Sequence, residues 1–248
     1  MADRTDATRR AKLTLVAPSK RRWLTIAGVV VGVILAGVVV GPFVYIHFFS
    51  GSTPAKLTID NGSSGTSTTA GAETTPLTGT WKVVSPSTAG YRVEEVLFGQ
   101  STTAVGRTTA VTGQMAIVGT TISTASFSVD MTKVTSDKSQ RDEQFQGRIM
   151  ETAQFPTATF RLTKPIVLGT PPPNGKIITV PATGQLTLHG QTKTVTVPLQ
   201  ARRSGNTITV NGSIPVKFSD YGIANPSASF VTTQDHGLVE FLLQFAHP

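Results

Sequence analysis

The chain contains no cysteine, which removes a disulfide framework, a thiolate zinc site and a cysteine nucleophile in one step. Its four histidines, His47, His189, His236 and His247, include no i, i+4 pair, so the helical two-histidine metal motif is absent and no metal site is expected. Neither a Gly-x-Ser-x-Gly elbow nor a Gly-rich phosphate loop occurs. No Asp, Glu, Lys or Arg lies between Arg22 and Lys56. These gaps leave no recognisable catalytic site, and no enzyme is expected.

The formal net charge of +8 invites a nucleic-acid partner, but its distribution excludes one. Residues 1–22 carry Arg4, Arg9, Arg10, Lys12, Lys20, Arg21 and Arg22 against only Asp3 and Asp6. The rest of the chain is nearly balanced, with fifteen basic and twelve acidic side chains. The basicity therefore belongs to the N-terminus, in front of the uncharged stretch at residues 23–49. Spanning a bilayer takes about 20 apolar residues, and this stretch would reach roughly 40 Å as a helix. Trp23, Tyr45 and His47 sit near its ends, where interfacial anchors belong. A secretory signal has a shorter apolar region ending in small residues, so an uncleaved single-pass helix is the expectation. The positive-inside rule then puts residues 1–22 in the cytoplasm and the rest outside. Gly28/Gly32 and Gly37/Gly41 are two Gly-x-x-x-Gly pairs, but they fall about 180° apart on a helix and cannot share one dimer interface. The sequence fixes no oligomeric state.

Residues 50–78 are Gly, Ser, Thr and Ala with few large apolar side chains, and predict a flexible linker with a mean span near 30 Å. From residue 79 the texture changes to short runs of Val, Thr, Ile and Phe broken by Gly, Pro and Asn-Gly. The predicted strands are 80–84, 89–97, 104–112, 114–118, 123–132, 157–163, 177–188, 193–202, 207–218 and 238–245. Phe127, Val129 and Met131 share one parity, as do Val195, Val197 and Leu199, and Ile208 to Phe218 keep one parity across an Asn-Gly turn signal. Such period-2 patterning with almost no helix predicts an all-β antiparallel sandwich or barrel over residues 79–248.

The exception is "RDEQFQGRIMETAQFP", the most charge-dense stretch of the domain. Ser139 and Asp142 fit a capping box, and Phe145, Ile149 and Thr152 fall on one face of about three helical turns. Phe155-Pro156 ends the pattern, since the residue before proline is pushed out of helical geometry. A single helix in a β domain covers an open end, with its apolar side inward and its charges toward water. Glu94 and Glu95 are adjacent on a strand, point to opposite faces and cannot act as paired acid and base. His189, before Gly190 at a hairpin tip, predicts a hydrogen-bonding or packing role.

Three stretches together resemble the YceI family of lipocalin-like barrels. They are Arg141-Asp142-Glu143 running to Phe155-Pro156 and Phe160, "GQLTLHGQTKTV" from Gly184 to Val195, and "FSDYGI" from Phe218 to Ile223. Trp81 with Gly90-Tyr91-Arg92-Val93 fits more loosely, and Tyr221 stands where Phe is frequent in the family. The resemblance implies an extended antiparallel β-barrel with one capping α-helix, here preceded by a transmembrane helix and a linker. It also implies a hydrophobic isoprenoid-type ligand in an elongated cavity, with no cofactor beyond a bound isoprenoid lipid or quinone. Alternation and resemblance point Phe127, Val129, Met131, Phe145, Ile149, Phe160, Val216 and Phe218 toward that cavity. A ligand-free barrel serving as a tethered interaction module in the cell envelope is the alternative.

Overall fold

The computed structural model describes residues 28–34, 37, 53–59, 76–97, 99–227 and 231–247. The chain divides into two units, residues 1–50 and 51–248. In the first, residues 28–34 are helical and hold Val29, Val30, Val31, Val33 and Ile34 in exposed positions. The basic tail and most of the expected span at 23–49 lie outside the described residues. Among the described residues, no helix is long and apolar enough to cross a membrane.

Among the described residues of the second unit, twelve strands form one antiparallel sheet. They are β1 (Gly79–Leu97), β2 (Gln100–Thr108), β3 (Val111–Val118), β4 (Thr121–Asp130), β5 (Thr135–Ser136), β6 (Thr157–Leu162), β7 (Ile166–Val167), β8 (Ile177–Leu188), β9 (Gln191–Ser204), β10 (Thr207–Lys217), β11 (Val231–Thr233) and β12 (His236–Ala246). The order β12-β10-β9-β8-β6-β4-β3-β1 closes on itself, because β1 also pairs with β12. Closure makes an eight-stranded barrel.

β1 is long enough to serve two neighbours. Its first residues pair with β3 and its last nine with β2, while β12 runs along its other side. The sequence predicts two strands here, 80–84 and 89–97. They are one strand, with a register shift between Val84 and Thr88 around a cis Ser85-Pro86 peptide. The run predicted to reach residue 132 stops at Asp130, whose side chain accepts from the Thr132 N–H and starts a 3-10 turn over Met131–Lys133.

The helix departs from its predicted form. α1 covers only Ser139–Gln144, and Lys138 stands at its N-cap without a side-chain bond. Asp142 reaches back instead to Ser136, accepting from its N–H at 2.8 Å and its hydroxyl at 2.6 Å. Phe145–Ile149 then form a π-helical turn, closed by the Met150 N–H donating to the Phe145 carbonyl at 2.8 Å. The wider turn carries Met150 into the core beside Phe145, which ordinary 3.6-residue periodicity does not predict.

The linker also differs from expectation. Residues 53–59 lie against the barrel wall, with Ile59 buried and three of their carbonyls hydrogen-bonded to Arg92, Arg107 and Asn211. An unstructured tether over the whole of 50–78 does not describe this segment.

Candidate ligand-binding site

Antiparallel partners point to the same side, so register identifies the barrel's inner face. Ala89 pairs with Phe241, Phe241 with Gly212, Val129 with Val111 and with Ala158, and Phe160 with Leu186. All belong to one apolar cluster apart from Gly212. Large rings fit inside because glycines face them. A Cβ on Gly106, Gly113, Gly184 or Gly212 would come within 2.3–2.8 Å of the ring or side-chain carbons of Tyr91, Phe127, Phe160 or Phe241 respectively. The outcome is an aromatic band across the interior, in which the Phe127 ring lies 5.5 Å from Phe160 and 5.1 Å from Phe241. These are favourable ring separations.

The structure brings the eight predicted residues together. Val129, Met131, Phe145, Phe160, Val216 and Phe218 are buried members of the cluster, and Phe127 and Ile149 pack against it. Sequence reasoning missed Tyr91, Met150, Leu186 and Phe241, which belong to or pack on the same cluster. Phe241 lies in a run, "LVEFLLQF", in which apolar residues occupy both parities, so alternation gives no signal. Several inward-facing apolar residues, among them Ala125, Phe127, Val195, Leu199, Val210 and Val239, are only half-buried.

The wall itself thins on one side. The β9–β10 ladder runs from Ser204–Thr207 to Gln200–Asn211 and goes no further, although β10 continues to pair with β12 down to Lys217. Below that point the inward residues Val195, Val197 and Leu199 of β9 and Ile214 and Val216 of β10 border a seam without backbone pairing.

The helix closes one end. The Phe145 ring stacks on Tyr91 at 4.9 Å, placing the apolar side of the helical segment over the interior as expected. The charges do not all face water, however. Arg141 is half-buried and bridges Asp137 and Glu95, the latter at 3.4 Å. Glu94 instead accepts from Thr103 on the outside, so the two glutamates do point apart. Burial pushes the Glu95 carboxyl above its ordinary range, with Arg141 pulling the other way. Burial likewise raises the Tyr91 hydroxyl. A small polar group, Tyr91, Glu95 and Arg141, therefore sits at the rim of an otherwise apolar interior.

His189 takes the left-handed φ of 49° at the β8–β9 turn. Its Nδ1 donates to the Tyr221 carbonyl at 3.1 Å and its Nε2 lies 3.2 Å from the Glu151 carboxylate. The ring also packs edge-on against Phe155 at 4.5 Å. This is the structural role predicted for it, tying the hairpin tip to the chain leaving the helical segment. Among the described residues, no group of three or more His, Asp or Glu side chains could hold a metal ion. A separate open cleft of about 410 Å³ is lined by Thr88, Arg107, Thr108, Thr109, Ala110, Lys133 and Thr135, none of them a predicted site residue.

Comparison with solved structures places this architecture among known barrels. A polyisoprenoid binding domain from Saccharophagus degradans superposes with a TM-score of 0.55 at 18% identity, covering 68% of this chain and 98% of that one. BcnA of Burkholderia cenocepacia gives a TM-score of 0.48 at 23% identity, over 62% of this chain and 95% of that one. By sequence, a UPF0312 protein of Vibrio parahaemolyticus is 35% identical over 79 residues, 32% of this chain. The chain spans 38% of the length of that curated relative. The YceI-like domain model matches residues 81–245, which are the closed barrel with its helical cap from the buried Trp81 to the last strand. By fold and by sequence, the chain belongs to the YceI-like domain family.

Proposed function

We propose that the barrel binds a polyisoprenoid or similar amphiphilic lipid and stores or transports it at a membrane, outside the cytoplasm. The observation that carries this reading is the inner face. Phe127, Val129, Met131, Phe145, Ile149, Phe160, Val216 and Phe218 belong to or pack on one apolar cluster there, and Val195, Leu199 and Val210 remain half-buried although they point inward. Each CH₂ taken from water contributes about 0.8 kcal/mol, so a long hydrocarbon needs no polar chemistry to bind such a lining. Tyr91, Glu95 and Arg141 at the helix-covered end supply the few polar groups that orient a head. The Saccharophagus degradans domain with the same fold is named for binding polyisoprenoids, which supports the same ligand class here.

The membrane attachment rests on residues 23–49, whose uncharged run follows a basic flank. Residues 28–34 are helical and leave five valine and isoleucine side chains exposed, a surface suited to lipid.

The test is to extract the full chain from the membranes of its natural host in mild detergent and analyse an organic extract by mass spectrometry. A stoichiometric isoprenoid or quinone is expected. An empty extract from a well-folded protein that also fails to take up added isoprenoids would overturn the reading.

A further inference from the structure

Two charged side chains, Arg92 and Glu240, are buried on the outside of the barrel, and Arg107 lies half-buried beside them. On β12, Val239, Phe241, Leu243 and Phe245 point inward, so Glu240 points out, yet it is only 3% exposed. Arg92 and Arg107, on the outer faces of β1 and β2, both bind it. Arg92 Nε lies 3.3 Å from one carboxylate oxygen, and Arg107 Nη2 lies 2.7 Å from the other. The register explains how Arg107 gets there. Arg107, Gly90 and Glu240 form one row across β2, β1 and β12, and Gly90 has no side chain to block the guanidinium.

This cluster holds two cations and one anion, and its surplus N–H groups need acceptors. They find them in residues 53–59. Arg92 Nη2 donates to the Pro54 carbonyl at 2.7 Å, Arg107 Nη2 donates to the Ala55 carbonyl, and Asn211 Nδ2 on β10 donates to the Leu57 carbonyl at 2.8 Å. Ile59 is buried at the end of the segment, while Lys56 and Thr58 are exposed. The three donors come from three strands and all take main-chain oxygens.

We propose that this wall is a built docking site for an extended peptide, and that its resident occupant is residues 53–59 of the same chain. The site reads backbone carbonyls through two guanidiniums and one carboxamide, and adds one apolar anchor, Ile59. The domain therefore begins at Thr53, with residues 53–59 held by donors on β1, β2 and β10. This holds whatever ligand the interior takes.

The test uses the full chain in detergent and limited trypsin digestion, following the new N-terminus at Leu57 by mass spectrometry. A docked Lys56–Leu57 bond cannot enter the protease cleft, so cleavage there is expected to be slow. Asn211→Ala and Ile59→Asp leave Arg92, Arg107 and Glu240 in place, and each should speed that cleavage by about tenfold or more. Cleavage after Arg161, an exposed residue of β6, should stay unchanged and reports global unfolding. Lys56→Arg should behave as the parent, because no side chain at that position is read. The proposal is overturned if Leu57 appears at the same rate in the parent and both variants, or if the Arg161 rate rises in step with it.

Discussion

The two faces of β12 bury side chains by opposite means. Inward, Phe241, Leu243 and Phe245 join an apolar cluster in which the rings fit because glycines face them. Outward, Glu240 is equally inaccessible, but it is held by two guanidiniums under a strap of main chain. Apolar burial scales with area and degrades gradually as atoms are removed. A buried ion cluster is all or nothing, since losing one member strands the charge of the others.

The sharpest way to expose that difference is Glu240→Ala. It leaves Arg92 and Arg107 without their carboxylate, and a loss of about 3–5 kcal/mol is expected in denaturant unfolding. A loss below about 1 kcal/mol would show that water already shares the cluster. On the inner face, Phe145→Ala removes the ring stacked on Tyr91 and should also cost roughly 3–5 kcal/mol. Replacing Glu143 and Arg148 on the same segment by alanine should cost less than about 1 kcal/mol by the same measurement. If the charge changes prove the more damaging, the helical segment is not an apolar lid.

A smaller effect tests the facing glycines. A Cβ on Gly113 would lie 2.5 Å from the Ser126 carbonyl oxygen and 2.8 Å from Phe127 Cα, which are backbone atoms that cannot swing away. Gly113→Ala should therefore destabilise by about 1–3 kcal/mol in thermal or denaturant unfolding. The smallest change concerns Glu95, a carboxylate turned inward at the helix-covered end. Its folded pKa is raised by burial above the ordinary 4.5. Its contribution to stability is therefore full below pH 4.5 and is lost as pH rises through the folded value. The melting temperature of the parent relative to Glu95→Gln should fall between pH 4 and pH 7. A difference that stays flat or grows with pH would mean that Arg141, rather than burial, governs this group.

Much of the fold was legible because barrel strands write themselves in alternation. Phe127 and Val129 could be placed on one face from parity alone, whereas Phe155-Pro156 gave only an outer limit for the helical segment, which already ends at Ile149. The failures have physical causes. Asp142 has the right chemistry for a capping box, but the chain uses it to hold Ser136, and the spacing looks the same in sequence. The π turn that buries Met150 adds one residue per turn and breaks the 3.6 count. Arg141 reads as a surface charge because nothing local announces that Glu95, on a distant strand, will meet it. Residues 53–59 were invisible for a deeper reason. They dock chiefly through carbonyl oxygens, which every residue possesses, so their side chains record little of the contact.

That docking has a kinetic consequence. Residues 60–78 join the strap covalently to β1, so a strap that lets go cannot diffuse away from its own site. An intramolecular partner on a short link is present at an effective concentration of order millimolar. A free peptide of the same backbone shape, at micromolar levels, would lose that competition by about a thousandfold. The outer wall is thus a binding surface whose vacancy is rationed by the chain that carries it.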